Sequence, residues 1–142
     1  MNILSKKTRY AMLAMTKLAR EYGKGAIFTS EIARSETIPQ RFLENILQEL
    51  KKIGLVGSKQ GKSGGYYLLQ APEEIKLVTI IRHFEGTIAM MYCVSEKAYQ
   101  PCEFCKDEGK CNIRKVFKKI RDTTYGILSE TSLQSLISEG TE

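Results

Sequence analysis

The sequence holds one histidine and no long apolar run, and each shortage excludes something. With His83 alone, and no carboxylate recognisably placed beside it, no general-base constellation is visible, so an enzyme is not expected. His83 itself, beside Ile80, Ile81 and Phe84, reads as a partly buried packing residue rather than a ligand. No stretch approaches the roughly 18 apolar residues that cross a bilayer. The opening, Met1 to Tyr10, lacks the apolar core of a signal peptide. A soluble, cytoplasmic protein with no membrane partner is expected. In that compartment disulfides are rarely stable, so the four cysteines need a reading other than a disulfide framework.

What is present describes a folded chain with uneven charge. At 142 residues and 42% hydrophobic composition, the chain can bury roughly two-thirds of its unfolded surface. Residues 1–62 carry 12 Lys and Arg against 5 acids, whereas residues 63–142 carry 10 against 11. The whole basic excess therefore lies in the first half. Lys and Arg that neutralise phosphates release condensed counterions, so this asymmetry favours a polyanionic partner over a merely solvated basic face.

From Ser5 to Tyr22, Tyr10, Leu13, Ala14, Leu18 and Ala19 recur at helical spacing and predict a first amphipathic helix. Lys24-Gly25 breaks it. Ala26-Ile27-Phe28 has the length of a small strand, and Thr29 can cap a short second helix. Glu36-Thr37-Ile38 reads as a turn, because the residue before Pro39 is pushed out of the helical region. Pro39 suits the start of a third helix over about Gln40 to Lys52. Its apolar side holds Phe42, Leu43, Ile46, Leu47, Leu50 and Ile53, which leaves Gln40, Arg41, Glu44, Asn45 and Gln48 facing out. Leu55 to Ser58 and Gly64 to Leu69 then predict two strands around the tip Lys59-Gln60-Gly61-Lys62-Ser63.

Two helices separated by a turn, then a hairpin with a basic tip, is the order of a winged helix-turn-helix. The expected fold is mainly α with a small β-hairpin, followed by a long C-terminal helix for dimerisation. Gln40, Arg41 and Glu44 are the candidates for base edges of a double-stranded DNA operator, and Lys59, Gln60 and Lys62 for the backbone or the minor groove.

Beyond Pro72, Val78 to Phe84 is apolar and helical in pattern and ends at Gly86. Asn112 is a good N-cap for a helix running to about Leu128. Its stripe of Ile113, Val116, Phe117, Ile120, Ile127 and Leu128 must be buried against something. A twin helix across a two-fold axis answers that need and suits a reader of two half-sites, so a homodimer is expected. Thr131 or Ser132 can start a last short helix. The expected division is 1–72 for DNA binding, 73–111 for a linker helix and cysteine loop, and 112–142 for the dimerisation helix and tail.

The cysteines run Cys93-x8-Cys102-x2-Cys105-x5-Cys111 through a polar loop. Four thiols brought together in a loop are a soft-metal donor set, suited to zinc, copper or iron-sulfur clusters. Structural zinc usually takes two close cysteine pairs, and only Cys102 and Cys105 form one. Irregular gaps are compatible with a [2Fe–2S] or [4Fe–4S] centre. The alternatives are a zinc-stapled DNA binder and, from Cys102-x2-Cys105 alone, a small thiol or electron-transfer protein.

The opening Ser5-Lys6-Lys7-Thr8-Arg9-Tyr10-Ala11, the helix Phe42-Leu43-Glu44-x3-Gln48-x-Leu50-Lys51-Lys52-x-Gly54-Leu55-Val56 and the wing Gly61-x2-Gly64-Gly65-Tyr66-x-Leu68 resemble the Rrf-two family of bacterial regulators. The likeness extends through Ile80-Ile81-x2-Phe84-Glu85-Gly86, the cysteine loop and the long helix. It implies a homodimeric winged-helix regulator, a repressor or an activator, with the long helices crossed at the dimer axis. It also implies that Cys93, Cys105 and Cys111 match the three cysteines by which some members hold a cluster. Members that complete the cluster with histidine place it where this chain has Arg114, and others use an acidic residue near the position of Thr8. Cys102 is therefore the expected fourth ligand. Many relatives carry an arginine before the first wing glycine, where this chain has Gln60.

Overall fold

The computed structural model describes residues 4–139, so residues 1–3 and 140–142 of the first and last expected segments lie outside it. The chain forms α1 (Lys6–Arg20), α2 (Thr29–Glu36), α3 (Gln40–Lys52), the strands β1 (Val56–Lys59) and β2 (Gly65–Leu68), α4 (Leu77–Glu85), α5 (Asn112–Glu130) and α6 (Leu133–Glu139). This is the mainly helical, winged arrangement that the sequence predicts.

The helix boundaries have local causes. Ser5 caps α1, its Oγ accepting from the Thr8 amide at 3.2 Å, as a short hydroxyl side chain does at that position. Helix α2 ends where Thr37 takes the left-handed conformation at φ 55°. Pro39 then occupies the N-cap of α3. Phe28, rather than Thr29, is the N-cap of α2, and it makes no side-chain cap. Ala26-Ile27-Phe28 does not become a named strand. It contributes one bridge, in which Ile27 and Tyr66 exchange backbone hydrogen bonds at 2.9 and 2.8 Å.

The core is built on Ala11, Ala14, Met15 and Leu18 of α1, Ile32 of α2 and Leu43, Ile46, Leu47 and Leu50 of α3. Two expectations for α3 fail. Phe42 is 52% exposed and Ile53 also faces solvent, because both stand at the margins of the apolar stripe. Phe42 leans edge-on toward Tyr10 of α1, with ring centroids 6.2 Å apart. Leu13, expected on the buried side of α1, is likewise exposed.

The antiparallel hairpin pairs Val56 with Leu68 and Lys59 with Gly65, so Lys59 ends a strand rather than beginning the tip. Gly65 has φ +124°, and a Cβ there would stand 2.1 Å from the Ile27 carbonyl oxygen. Only glycine permits the bridge to Ile27 at that spot.

The two ends of the remaining chain meet beside α1. The Leu77 amide donates to the Thr131 carbonyl at 2.9 Å and the Leu133 amide to the Ile75 carbonyl at 2.9 Å. Leu133 is fully buried in the core, and α6 packs on α1. Ser132 caps α6 by accepting from the Ser135 amide at 3.1 Å. Between these ends, α4 packs on α1 and α5 packs on α4.

The α1–α4 contact includes a partly buried polar knot. The Thr8 hydroxyl donates to Glu85 Oε1 at 2.6 Å and the Ser5 amide to the same oxygen at 2.8 Å. These bonds, the Thr8 one first, hold the Glu85 carboxyl below its ordinary value. A carboxyl depressed in the folded state stabilises it above the unfolded value, about 4.3, and that contribution fades as pH falls through the lower folded value. Acid unfolding of wild-type protein should therefore be steeper below about pH 4.3 than that of Glu85→Gln, which should also lose about 1 to 2 kcal/mol at neutral pH in a urea titration. Gly65→Ala should cost more, about 3 kcal/mol or above, since both the backbone conformation and the contact with Ile27 oppose it.

Candidate nucleic-acid interface and cysteine cavity

The outward face of α3 carries Gln40, Arg41, Glu44, Asn45 and Gln48, all exposed. Its opposite face sits in the core, so the helix is held rigidly while these polar groups stay free to meet a partner. Gln40 Nε2 lies 3.5 Å from Glu44 Oε1, one helical turn apart, at the limit of a hydrogen bond. Lys59, Gln60 and Lys62 are exposed at the end of the hairpin. All six candidate contact residues therefore stand in solvent, on the two elements from which they were expected.

A link between helix and wing was not legible in the sequence. Lys51 Nζ, in the last turn of α3, donates to the Ser58 hydroxyl of β1 at 2.7 Å. Farther back, Glu49 pairs with Lys7 of α1 and faces His83 Nε2 of α4 at 3.6 Å. The Lys7 ammonium, more than any other neighbour, holds the Glu49 carboxyl below its ordinary value. His83 also meets Phe84 edge-on at 4.8 Å. It packs as the sequence suggests, although it faces solvent more than expected.

The cysteine loop closes on itself. Cys93 lies buried in a short 3-10 turn, Tyr92–Val94, and Cys111 is the residue before α5. Cys93, Cys102, Cys105 and Cys111 together line one cavity of about 300 Å3, with Met91, Phe104 and Ile113 as apolar wall. Cys111, not Asn112, caps α5, its Sγ accepting from the Arg114 amide at 3.4 Å. That bond is the main reason its thiol lies below the ordinary cysteine value, while desolvation pushes Cys105 above it. The Tyr99 hydroxyl donates to Glu108 and braces the loop.

Two arginines of α5 stitch the Cys93 turn to the helix. Arg114 Nε donates to the Cys93 carbonyl at 3.2 Å and Arg121 Nη1 to the Val94 carbonyl at 2.7 Å. Seven residues apart, they share one face of the helix, and that spacing was the available signal. Thr8, fully buried, spends its hydroxyl on Glu85.

Thiolates suit zinc and iron-sulfur clusters, so the donor set fits such a group. Among the described residues, no three His, Cys, Asp or Glu side chains stand close enough to grip one metal ion. The thiols surround a space rather than converge on a point.

The stripe of α5 is the other open feature. No residue of the helix is fully buried. Ile113 is 64% exposed and Ile127 61%, with Val116 and Ile120 also in solvent. Among the described residues, no helix is long and apolar enough to cross a membrane.

One consequence concerns the wing. Ser58→Ala removes the acceptor for Lys51 while keeping every charge. It should weaken binding to a cognate duplex about three- to tenfold, with the slope of log affinity against log salt unchanged.

The comparisons with known proteins agree with this architecture. Residues 4–139 match the Rrf2 family model, described as an iron-dependent transcriptional regulator. An rrf2-like helix-turn-helix-type transcriptional regulator of Rhodobacter capsulatus is 38% identical over 141 residues, covering 97% of this chain and 94% of the relative. The structure of CymR, the global cysteine regulator of B. subtilis, superposes with a TM-score of 0.82 at 31% identity, covering 98% of each chain. T. potens IscR superposes with a TM-score of 0.76 at 25% identity, covering 98% of this chain and 88% of the other. These relatives are regulators rather than enzymes, and a family match along essentially the whole described chain places it: the protein belongs to the Rrf2 family of DNA-binding transcriptional regulators.

Proposed function

We propose that the protein is a homodimeric, cytoplasmic regulator whose operator binding is modulated by an iron-sulfur cluster held in the cysteine loop. The observation that carries this reading is the convergence of all four cysteines on one cavity at the head of α5. Only Cys102 and Cys105 have the close spacing of a structural zinc pair, which favours a [2Fe–2S] or [4Fe–4S] cluster over zinc.

In this reading Gln40, Arg41 and Glu44 meet base edges, and Arg41 contributes the bidentate fork that suits guanine. Lys59 and Lys62 neutralise phosphates, and Gln60 stands at the mouth of the minor groove without the charge of an arginine. Cys93, Cys102, Cys105 and Cys111 are the ligands. Arg114 stands where some relatives carry a histidine ligand, and its guanidinium is committed to the Cys93 carbonyl. A bound cluster would supply a change of charge or of ligation in response to redox poise or iron supply.

The exposed stripe of α5 supports pairing of two copies along that helix, since apolar side chains of this size gain about 25 cal/mol per Å2 when covered. The same chain division follows: residues 1–72 read DNA, 73–111 carry the sensor, and 112–142 hold the dimer helix together with a tail that packs on α1. Because Cys111 caps α5 and the helix continues into the stripe, a change at the loop bears on how the two halves sit. A coupling of about 1 to 3 kcal/mol is enough for a switch.

The test begins with anaerobic purification, a visible spectrum, and iron, sulfide and zinc analysis of one sample. Matched iron and sulfide with visible absorption is expected. Stoichiometric zinc in a colourless protein would instead leave a zinc-stapled DNA binder. Arg41→Ala should reduce operator affinity by about 1 to 3 kcal/mol and keep the cluster, whereas Cys111→Ala should lose the cluster and keep the folded winged domain.

A further inference from the structure

A second cavity, of about 190 Å3, lies between the end of α4, the connection 86–97 and α5. Its walls bring together Arg82, Lys97 and Arg121 with the Tyr125 ring and the apolar Ile88 and Ala89. We propose that this cavity is a binding site for a small organic carboxylate, distinct from the DNA face and from the cavity that the four cysteines line.

The argument starts from how the arginines are held. Arg121 is fixed by its bond to the Val94 carbonyl at 2.7 Å and by Asp122, 2.6 Å from Nη2. Arg82 sits over Tyr125, with Cζ 4.9 Å from the ring centroid. Both guanidinium groups are thus held before any ligand arrives; the Nε–Nη2 edge of Arg121 is taken by Asp122, so Arg82 offers the planar fork that matches carboxylate geometry. Preorganisation of this kind removes most of the ordering cost of binding.

The second observation is the anion that already stands there. Glu96 places one carboxylate oxygen 3.9 Å from Arg82 Nη2 and the other 3.9 Å from Arg121 Nη2. Both separations are too long for hydrogen bonds, and the Glu96 side chain is 64% exposed. It is a loosely held internal carboxylate in a cavity whose cations, Arg82, Lys97 and Arg121, outnumber its acids, Glu96 and Asp122. A free carboxylate can take its place and make the short contacts that Glu96 does not.

Size and surroundings define the class. A cavity of about 150 Å3 accommodates a benzene-sized molecule, so this one suits an organic acid of a few carbons with a short apolar stem against Ile88 and Ala89. Tyr125 lies roughly 120° or more round α5 from Ile113, Val116, Ile120 and Ile127, and Arg121 roughly 80° or more, so the site borders the exposed stripe without belonging to it.

Equilibrium dialysis of radiolabelled succinate against the full chain, at fixed ionic strength, tests the proposal. Saturable, stoichiometric binding is expected, with no competition from succinamide. Glu96→Gln should tighten it about five- to tenfold by removing the internal competitor, and Arg82→Gln should weaken it at least about tenfold. Affinity for DNA in low salt and far-ultraviolet circular dichroism report that each variant is folded, and Lys97→Gln, expected to weaken binding, substitutes if Arg82→Gln is not. No saturable binding in either wild type or Glu96→Gln would overturn the proposal. So would equal displacement by inorganic phosphate, or binding that persists in the folded variants of Arg82 and Lys97.

Discussion

The fold depends on a clamp. Two backbone hydrogen bonds, Leu77 to Thr131 and Leu133 to Ile75, tie together the ends of a long excursion that holds α4, the cysteine loop and α5. Leu133 anchors the tie by burying itself in the same core as Leu18 and Leu47. Without it, α5 would have little to hold it, since no residue of that helix is fully buried. The clamp lets a chain of modest size carry both a rigid winged domain and the module of cysteine loop and long helix. The Glu85 knot with Ser5 and Thr8 fixes the angle between them by joining the start of α1 to the end of α4.

The reading head was legible in the sequence because its determinants are local. Pro39 and Gly54 bracket α3, and the period of Leu43, Ile46, Leu47 and Leu50 fixes its buried face. The errors lie at the edges of that period. Phe42 and Ile53 are apolar yet exposed, because a stripe read by residue type alone is wider than the groove that receives it. The cap of α5 was misplaced by one residue for a related reason. Asn112 is the better capper by preference, but the sulfur of Cys111 reaches the Arg114 amide first.

The cysteine loop was legible only as a gathering of donors. Its closure rests on bonds between residues more than twenty apart, Arg114 to Cys93 and Arg121 to Val94, which no local pattern encodes. The same holds for Lys51 and Ser58, and for the convergence of Arg82, Lys97 and Arg121 on one cavity. Spacing in a sequence shows which residues can share a helix face. It does not show which carbonyl from another element will meet them.

The loop's exposed outer turn carries a separate consequence. Phe104 is 88% exposed and sits between Cys102 and Cys105, on a segment that contributes nothing to the main core. A protease cutting the backbone there would sever the chain without releasing either piece. The two fragments would stay together through α6 of the second against α1 of the first and α5 against α4, with both clamp bonds intact. The molecule would behave as a nicked but assembled unit, in which the winged domain is intact and only the covalent continuity of the cysteine loop is lost.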